Sequence, residues 1–510
     1  MVKQSSSTNR LLLLAIVVLA LLIRVVGLVP GHNYYHPDEP MSYGSATDMI
    51  VYGDLNPRRF DYPAGVALLH YGIYKTYILP VIYTQIFFPH PRVFATALSR
   101  GQKFFEEFRI SLFGPRDLHA LYWSRYITAI LGALTVLLTY AIAAKLVHRY
   151  AGLAAAVLTA VNYRHVLSSH LALSDIPNNF FAMFSFYCTL LLLEKNTTRR
   201  YVLCAVAIAL SIIMKYQIFV LVPFFFVHLL WAIREGRLSS VVNKKLVLSI
   251  LIIAGLVVIT NPYVPSNWEK TREIIRVVYL RYGAGANRFN VYPLYYLYHW
   301  GIGQLPSLAI IIGIGISIVC FPFQSFILLT YVGPYLYTFL YYMTGGTYIR
   351  NFTSVIPFFN IFAGIGLYAA FRFLSKYIKT KPALALLIAV LVVINIVPLK
   401  DSLTLSLAYT TPWVREQLTE WVNTHIPDNA TILNDNTSVA SDPSKPLTLI
   451  PWSRDEANSV TEMSKRNFDF AVINLNWNQA YFYWFDLPFQ KLVTYDGIPY
   501  PILKNTYHSL

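Results

Sequence analysis

The chain has 510 residues, of which 56% are hydrophobic and only 13% are charged, and its mean hydropathy is +0.47. Because soluble proteins carry about 25% charged residues, this composition excludes an ordinary soluble protein and predicts an integral membrane protein. The formal net charge of +16 does not indicate a nucleic-acid partner, since the basic residues lie mostly between apolar segments, where they set topology and contact anionic membrane lipids.

The chain begins with a polar segment that contains Lys3 and Arg10. Residues 11–29 follow as an apolar segment about long enough to cross a bilayer. No small-residue cleavage site comes after it, so we expect an uncleaved span and not a signal peptide. The basic residues before the span predict a cytoplasmic N-terminus.

A short acidic motif, YYHPDEP, occupies residues 34–40 directly after this span. Two adjacent carboxylates beside a membrane are costly to hold near lipid, which indicates a chemical role for Asp38 and Glu39. Pro40 is typical of a first helical turn and Gly53 of a left-handed helix end, so we predict a helix between them. Both carboxylates would then lie at its positive N-terminal end, and helix capping would explain only one of them.

The apolar segment 66–88 decides the topology, because it could either cross the membrane or lie along its surface. Its histidine, lysine, proline and tyrosines are typical of an interfacial helix. If it does not cross, the four basic loops further along the chain face the cytoplasm, at 145–150, 194–200, 234–245 and 372–381. We therefore predict one external loop over 31–120, with juxtamembrane helices. About eleven spans result, near residues 11–29, 121–144, 151–169, 177–193, 201–214, 218–233, 246–262, 303–320, 325–343, 353–371 and 382–398.

The composition changes after residue 398, where polar turns and charges replace the apolar segments. The sequence predicts a helix from Thr411-Pro412 to about 424, and short strands near 430–433, 470–474 and 492–495. We therefore expect a helical membrane domain over 1–398 and a small extracytoplasmic α/β domain over 399–510.

The predicted topology brings charged residues from distant parts of the chain to the external face. Each has an ordinary explanation, as a turn residue, a helix cap or an interfacial anchor. Their convergence is stronger evidence for a site, because independent anchors would be scattered over both faces. The residues are Asp38, Glu39, Asp61, Arg125, Asp175, Lys215, Arg288 and Arg350.

Carboxylates that face cations at a membrane surface suit group transfer from a lipid phosphate. A carboxylate can deprotonate an attacking hydroxyl, and arginine or lysine can stabilise the departing phosphate. No Walker loop or dinucleotide fingerprint indicates a soluble nucleotide. The alternatives are a lipid or small-molecule transporter or flippase, whose charges would line a substrate path, and a non-catalytic lipid-binding scaffold.

Eight short motifs follow one another in a fixed order over about residues 10–400, and this series resembles the GT-C membrane glycosyltransferases. Within that group it is similar to the protein O-mannosyltransferases and the aminoarabinose–lipid A transferases. The motifs are His36-Pro37-Asp38-Glu39-Pro40, Gly53-Asp54-Leu55-Asn56-Pro57, Phe60-Asp61-Tyr62-Pro63, Ser124-Arg125-Tyr126, Gly132-Ala133-Leu134-Thr135, Leu173-Ser174-Asp175-Ile176-Pro177, Met214-Lys215 before Pro223, and Tyr348-Ile349-Arg350 before Pro357.

The resemblance implies transfer of a sugar, with inversion, from a polyprenyl-phosphate donor to a glycan, lipid or protein acceptor on the extracytoplasmic side. By position, Asp38 would be the catalytic base, with Glu39 beside it. The implied ligands of the donor phosphate are Arg125, Lys215, Arg288 and Arg350.

The resemblance leaves a divalent metal ion open as a cofactor. Asp61 occupies the place where the aminoarabinose transferases carry a metal-binding glutamate, but Gly283 stands roughly where they carry the partner histidine. His36 and Asp175 are the other candidate ligands.

Overall fold

The structure is a computed structural model of the chain. It describes residues 7–29, 38–87, 89–113, 119–236, 241–283, 285, 287–344, 349–410, 414–435, 445–452, 468–472, 489–493 and 502–505. The candidate His36 lies outside the described residues, as does the predicted helix start at Thr411-Pro412. The chain forms two compact units, Met1–Thr410 and Thr411–Leu510.

The first unit is built from helices, which confirms the predicted α-helical fold class. Among the described residues, three π-helical turns and a 3₁₀ helix interrupt or connect them: Tyr74–Ile78, Leu297–Gly301, Thr338–Tyr342 and the 3₁₀ helix Ile349–Ser354. The α-helices are α1 (Ser7–Val25), α2 (Glu39–Tyr52), α3 (Gly65–Ile73), α4 (Leu79–Phe87), α5 (Pro91–Arg100), α6 (Gln102–Phe113), α7 (His119–Leu146), α8 (Arg149–Ala160), α9 (Tyr163–Ser169), α10 (Asp175–Glu194), α11 (Thr198–Met214), α12 (Leu221–Arg234), α13 (Lys244–Thr260), α14 (Tyr263–Ser266), α15 (Trp268–Arg281), α16 (Tyr292–Tyr296), α17 (Gln304–Cys320), α18 (Pro322–Tyr337), α19 (Ile356–Leu374) and α20 (Thr380–Ala408).

Among the described residues, four helices are long and apolar enough to cross a membrane. They are Ala120–Leu146 within α7, and α10, α19 and α20, while α12 and α17 are shorter apolar helices. The number of helices that cross stays a prediction.

Most predicted spans differ from the observed helices by a few residues, and two differ in a way that changes the fold. The predicted span 151–169 is divided into α8 and α9, because the Asn162 side chain accepts a hydrogen bond from the His165 backbone and starts a new helix. The last predicted span ends at 398, but α20 continues through Pro398 to Ala408. The compact unit accordingly extends to Thr410.

Close helix packing holds the centre of the first unit together. A Cβ added to Gly313 of α17 would lie 2.6 Å from the Phe362 carbonyl oxygen of α19. On the other side of α19, Gly364 lies directly against the Ala151 carbonyl of α8. Small residues at such crossings let helix backbones approach closely and gain van der Waals contact. This contact fixes α19, which directly follows the 3₁₀ helix.

The second unit contains one described helix, α21 (Val414–His425), and a five-stranded sheet of order β2-β1-β3-β5-β4. Strand β1 pairs in parallel with β2 and β3, and β5 pairs antiparallel with β3 and β4. Leu418 and Val422 of α21 and Ile432 of the sheet lie in its hydrophobic core. The strands are β1 (Thr431–Asp435), β2 (Thr448–Trp452), β3 (Phe470–Val472), β4 (Phe489–Val493) and β5 (Ile502–Asn505).

The topology can be tested with cysteine labelling, because the chain has only three native cysteines to replace. We expect Glu235→Cys, at the end of α12, to react with a membrane-impermeant maleimide only after the membrane is permeabilised. Thr96→Cys on α5, in the predicted external loop, should react without permeabilisation. Labelling of Glu235→Cys from outside would show that 66–88 crosses the membrane.

Candidate active site

The two adjacent carboxylates at the start of α2, Asp38 and Glu39, have different surroundings. The helix begins at Glu39 with a proline in its first turn, and it ends at Gly53 with φ 72°, as the sequence predicts. Glu39 is fully buried, whereas Asp38 at the cap position keeps 24% of its side chain exposed. The Asp38 carboxylate forms no capping hydrogen bond. Helix capping therefore does not explain Asp38.

Glu39 and Arg125 form a buried ion pair between α2 and α7. The Arg125 Nε and Nη2 groups donate to the two Glu39 carboxylate oxygens at 2.9 and 2.8 Å, and the backbone N–H of Ala172 donates to one of them at 2.9 Å. Such a bidentate pair is among the strongest side-chain contacts. The geometry favours a structural role for both residues, in place of the catalytic and phosphate-binding roles expected from sequence.

Asp38 instead forms an ion pair with Arg350 of the 3₁₀ helix. The Arg350 Nη2 group also lies 3.4 Å from the Tyr62 hydroxyl. Burial by itself would lower the pKa of the Arg350 guanidinium, but the carboxylates of Asp175 and Asp38 raise that pKa above its ordinary value. Arg350 therefore stays charged although it is mostly buried.

A second ion pair, between Lys215 and Asp175, lies beside the first. The Lys215 ammonium donates to the Asp175 carboxylate at 2.7 Å and to the side-chain oxygen of Asn351 at 2.8 Å. Asp175 is the first residue of α10, and Ser174 occupies the cap position. The carboxylate thus binds a lysine instead of capping the helix. Asn351 directly follows Arg350, so the two pairs are neighbours.

We call Asp38, Asp175, Lys215 and Arg350 the charged cluster. Its members come from the start of α2, the start of α10, the end of α11 and the 3₁₀ helix, so the cluster lies at helix ends. Two of the four cations predicted to share an anion, Lys215 and Arg350, are brought together there.

Three residues beside the charged cluster were not predicted from sequence as site residues. Tyr62 and Tyr282 both lie close enough to Arg350 for electrostatic interaction. Burial raises the pKa of the Tyr62 hydroxyl, so this group stays neutral beside Arg350. Arg164 of α9 acts electrostatically on Asp175, and its Nε atom is buried with no hydrogen-bond partner in the described part of the chain. The signal that could have found Arg164 is its position inside the predicted span 151–169, because a charged side chain is costly to hold near lipid.

Arg288 is not part of the charged cluster. It is exposed in an open groove of about 450 Å³ that is lined by Phe289, Tyr292 and Tyr295. Within the described residues it forms no hydrogen bond or ion pair with the charged cluster. The structure therefore does not bring Arg288 together with Lys215 and Arg350.

The residues around Asp61 do not fit a resident metal ion. The Asp61 carboxylate accepts hydrogen bonds from Arg59 Nε and Nη2 at 3.2 and 2.8 Å. An arginine on both oxygens opposes a cation at the same place. In the ranges that the structure describes, no group of three or more His, Cys, Asp or Glu side chains could hold a metal. Asp175 is occupied by Lys215.

Comparisons with known proteins identify the class of this fold. A family model described as dolichyl-phosphate-mannose-protein mannosyltransferase matches residues 104–263. No curated protein sequence matches the chain significantly. By structure, the chain has the fold of the GT-C glycosyltransferases, which confirms the resemblance found in the sequence.

Two solved structures are similar to this chain over most of its length. ArnT from Cupriavidus metallidurans, bound to undecaprenyl phosphate, is 12% identical with a TM-score of 0.54 over 99% of each chain. The Archaeoglobus fulgidus oligosaccharyltransferase AglB, in complex with an inhibitory peptide and a dolichol-phosphate, is 12% identical with a TM-score of 0.53. That match covers 94% of this chain and 70% of AglB. At these identities the likeness concerns the fold.

Proposed function

We propose that the protein is a multi-pass membrane glycosyltransferase that moves a sugar from a polyprenyl-phosphate donor to an acceptor hydroxyl on the extracytoplasmic side, with inversion. The observation that carries this proposal is the charged cluster, in which the partly exposed carboxylate of Asp38 lies against Arg350, with Lys215 close by. The undecaprenyl phosphate bound to ArnT and the dolichol-phosphate bound to AglB support a lipid phosphate as ligand of this fold.

In the proposed reaction Asp38 is the general base. Its carboxylate takes the proton of the acceptor hydroxyl, whose oxygen attacks the anomeric carbon from the face opposite the phosphate. The bond between that carbon and the phosphate oxygen breaks, and its electron pair leaves with the phosphate. The products are an inverted glycoside, free polyprenyl phosphate and protonated Asp38.

Arg350 and Lys215 would hold the donor phosphate. The cations Arg350, Lys215 and Arg164 lie near only two carboxylates, those of Asp38 and Asp175. The excess positive charge favours binding of one further anion. Arginine binds phosphate oxygens bidentately, so the phosphate can replace Asp38 on Arg350. This exchange would release the Asp38 carboxylate to act as base once the donor is bound. We leave Arg125 and Arg288 out of the proposed phosphate site.

The position of the cluster also separates this proposal from a transporter. Transporters hold their substrate near the middle of the bilayer, at broken helices. Here Asp175 begins α10, one of the helices long and apolar enough to span, and Lys215 directly follows α11. A cluster at the ends of such helices supports a site near a membrane surface.

The proposed phosphate site predicts that Arg350→Ala weakens binding of a polyprenyl-phosphate sugar by roughly 1.5–3 kcal/mol, the value of hydrogen bonds to a charged group. Equilibrium binding to the purified protein measures the change. Arg272→Ala on α15 is the matched control, because Arg272 is an exposed arginine paired with Glu269. Equal donor binding by Arg350→Ala and wild type would remove Arg350 from the site.

The activity itself is tested in liposomes that contain the purified protein and a labelled polyprenyl-phosphate sugar. We expect loss of sugar from the lipid and appearance of free polyprenyl phosphate when an acceptor hydroxyl is supplied. Movement of the intact donor between leaflets, with the sugar still attached, would support the flippase alternative instead.

A further inference from the structure

Arg24 is a buried cation that, like Arg125, lies outside the charged cluster. Arg24, near the end of α1, is fully buried, and it donates to the carbonyl oxygens of Ala20, Thr159 and Ala160 at 2.9, 3.2 and 2.8 Å. The last two carbonyls belong to the C-terminal turn of α8, the negative end of that helix. Arg24 also approaches Nδ1 of His165 to 2.9 Å.

Arg24 fixes the direction of a chain of hydrogen bonds. Arginine has donors and no acceptor, so Nδ1 of His165 must accept and Nε2 must carry the proton. Nε2 lies 3.2 Å from the Asn179 side-chain oxygen, which therefore accepts. The Asn179 amide nitrogen then donates to the Ser354 carbonyl oxygen at 3.0 Å. The reversed amide would place donor against donor and acceptor against acceptor.

The chain of hydrogen bonds ends in the segment that carries Arg350. Ser354 is the last residue of the 3₁₀ helix Ile349–Ser354. The neighbouring Asn178 donates to the Ser354 hydroxyl at 3.1 Å and to the side-chain oxygen of Gln217 at 2.8 Å. Gln217 lies two residues after Lys215. Asn178 and Asn179 lie one turn beyond Asp175 on α10. Asn178 thus contacts both the segment that carries Lys215 and the segment that carries Arg350, and Asn179 contacts the latter.

We propose that Asn179 is a positioning residue for Arg350, and that Arg24 and His165 fix the orientation of the Asn179 amide. This inference rests on the proposed function, because Arg350 must bind the donor phosphate. Asn179 would act only by holding the 3₁₀ helix at the place where Arg350 reaches that phosphate.

The test is a double-mutant cycle with undecaprenyl phosphate as the probe. Asn179→Asp replaces the donating amide with an acceptor that faces the Ser354 carbonyl. We expect about tenfold weaker binding of the probe in the wild-type background, and less than twofold weaker binding in the Arg350→Ala background. Asn395→Asp is the matched control, because Asn395 is a buried asparagine of α20 that donates to the Leu391 carbonyl at 2.7 Å. It should leave binding unchanged in both backgrounds.

A second pair of variants covers the case in which Asn179→Asp does not fold. His165→Gln keeps an acceptor and a donor in the side chain, and we expect binding within about twofold of wild type. His165→Leu loses both groups and should weaken binding about tenfold, again only where Arg350 is present. Equal binding by these two variants would overturn the inference, as would an Asn179→Asp effect that persists without Arg350. A wild-type protein that does not bind the probe would overturn the proposed function together with the inference.

Discussion

Replacing Asp38 with asparagine is expected to lower the rate of sugar transfer by about 10²–10⁴-fold, the usual contribution of a general base. The amide cannot take the proton of the acceptor hydroxyl. Donor binding should be kept, because the phosphate ligands Arg350 and Lys215 are unchanged. The substitution removes only the Asp38 carboxylate, which competes with the donor phosphate for Arg350. Single-turnover rates with saturating donor, together with equilibrium binding of the donor, measure the two effects separately.

Asp54→Asn is the matched control for this variant. Asp54 is a carboxylate of the same region that pairs with Arg58 at 2.8 Å and lies outside the charged cluster. We expect its turnover to stay within about twofold of wild type. Near-normal turnover of Asp38→Asn would exclude Asp38 as the base. A loss of donor binding by the same variant would contradict the proposed exchange at Arg350.

The buried pair of Glu39 and Arg125 should give the largest change in stability. Arg125→Met leaves the Glu39 carboxylate buried without its cation, and breaking such a pair costs about 3–5 kcal/mol. The free energy of unfolding of variant and wild type in detergent, monitored by the loss of the helical circular-dichroism signal, measures the difference.

The double variant Glu39→Met/Arg125→Met separates the two possible roles of Arg125. It removes both charges at once, so it should recover most of the stability that Arg125→Met loses. A stable Arg125→Met protein with weak donor binding would return Arg125 to the phosphate site, as the sequence resemblance implies.

The sequence by itself determined the features that depend on neighbouring residues or on composition. The apolar content requires a membrane environment, because so few charged residues cannot cover a soluble surface. The bounds of α2 follow from a proline that suits the first helical turn and a glycine that accepts a positive φ. The ordered motifs also carried the resemblance to the GT-C glycosyltransferases, which the fold confirms.

Only the tertiary structure decided which charged residues meet. In sequence Asp38 and Glu39 are adjacent and chemically alike, but one turns toward Arg350 and the other is buried against Arg125 of α7. Arg288 resembled the other cations in sequence, but among the described residues it lines an open groove and makes no hydrogen bond or ion pair with Lys215 or Arg350. The physical reason is that an ion pair forms between helices distant in the chain. Its partners depend on helix packing, and no local pattern records that packing.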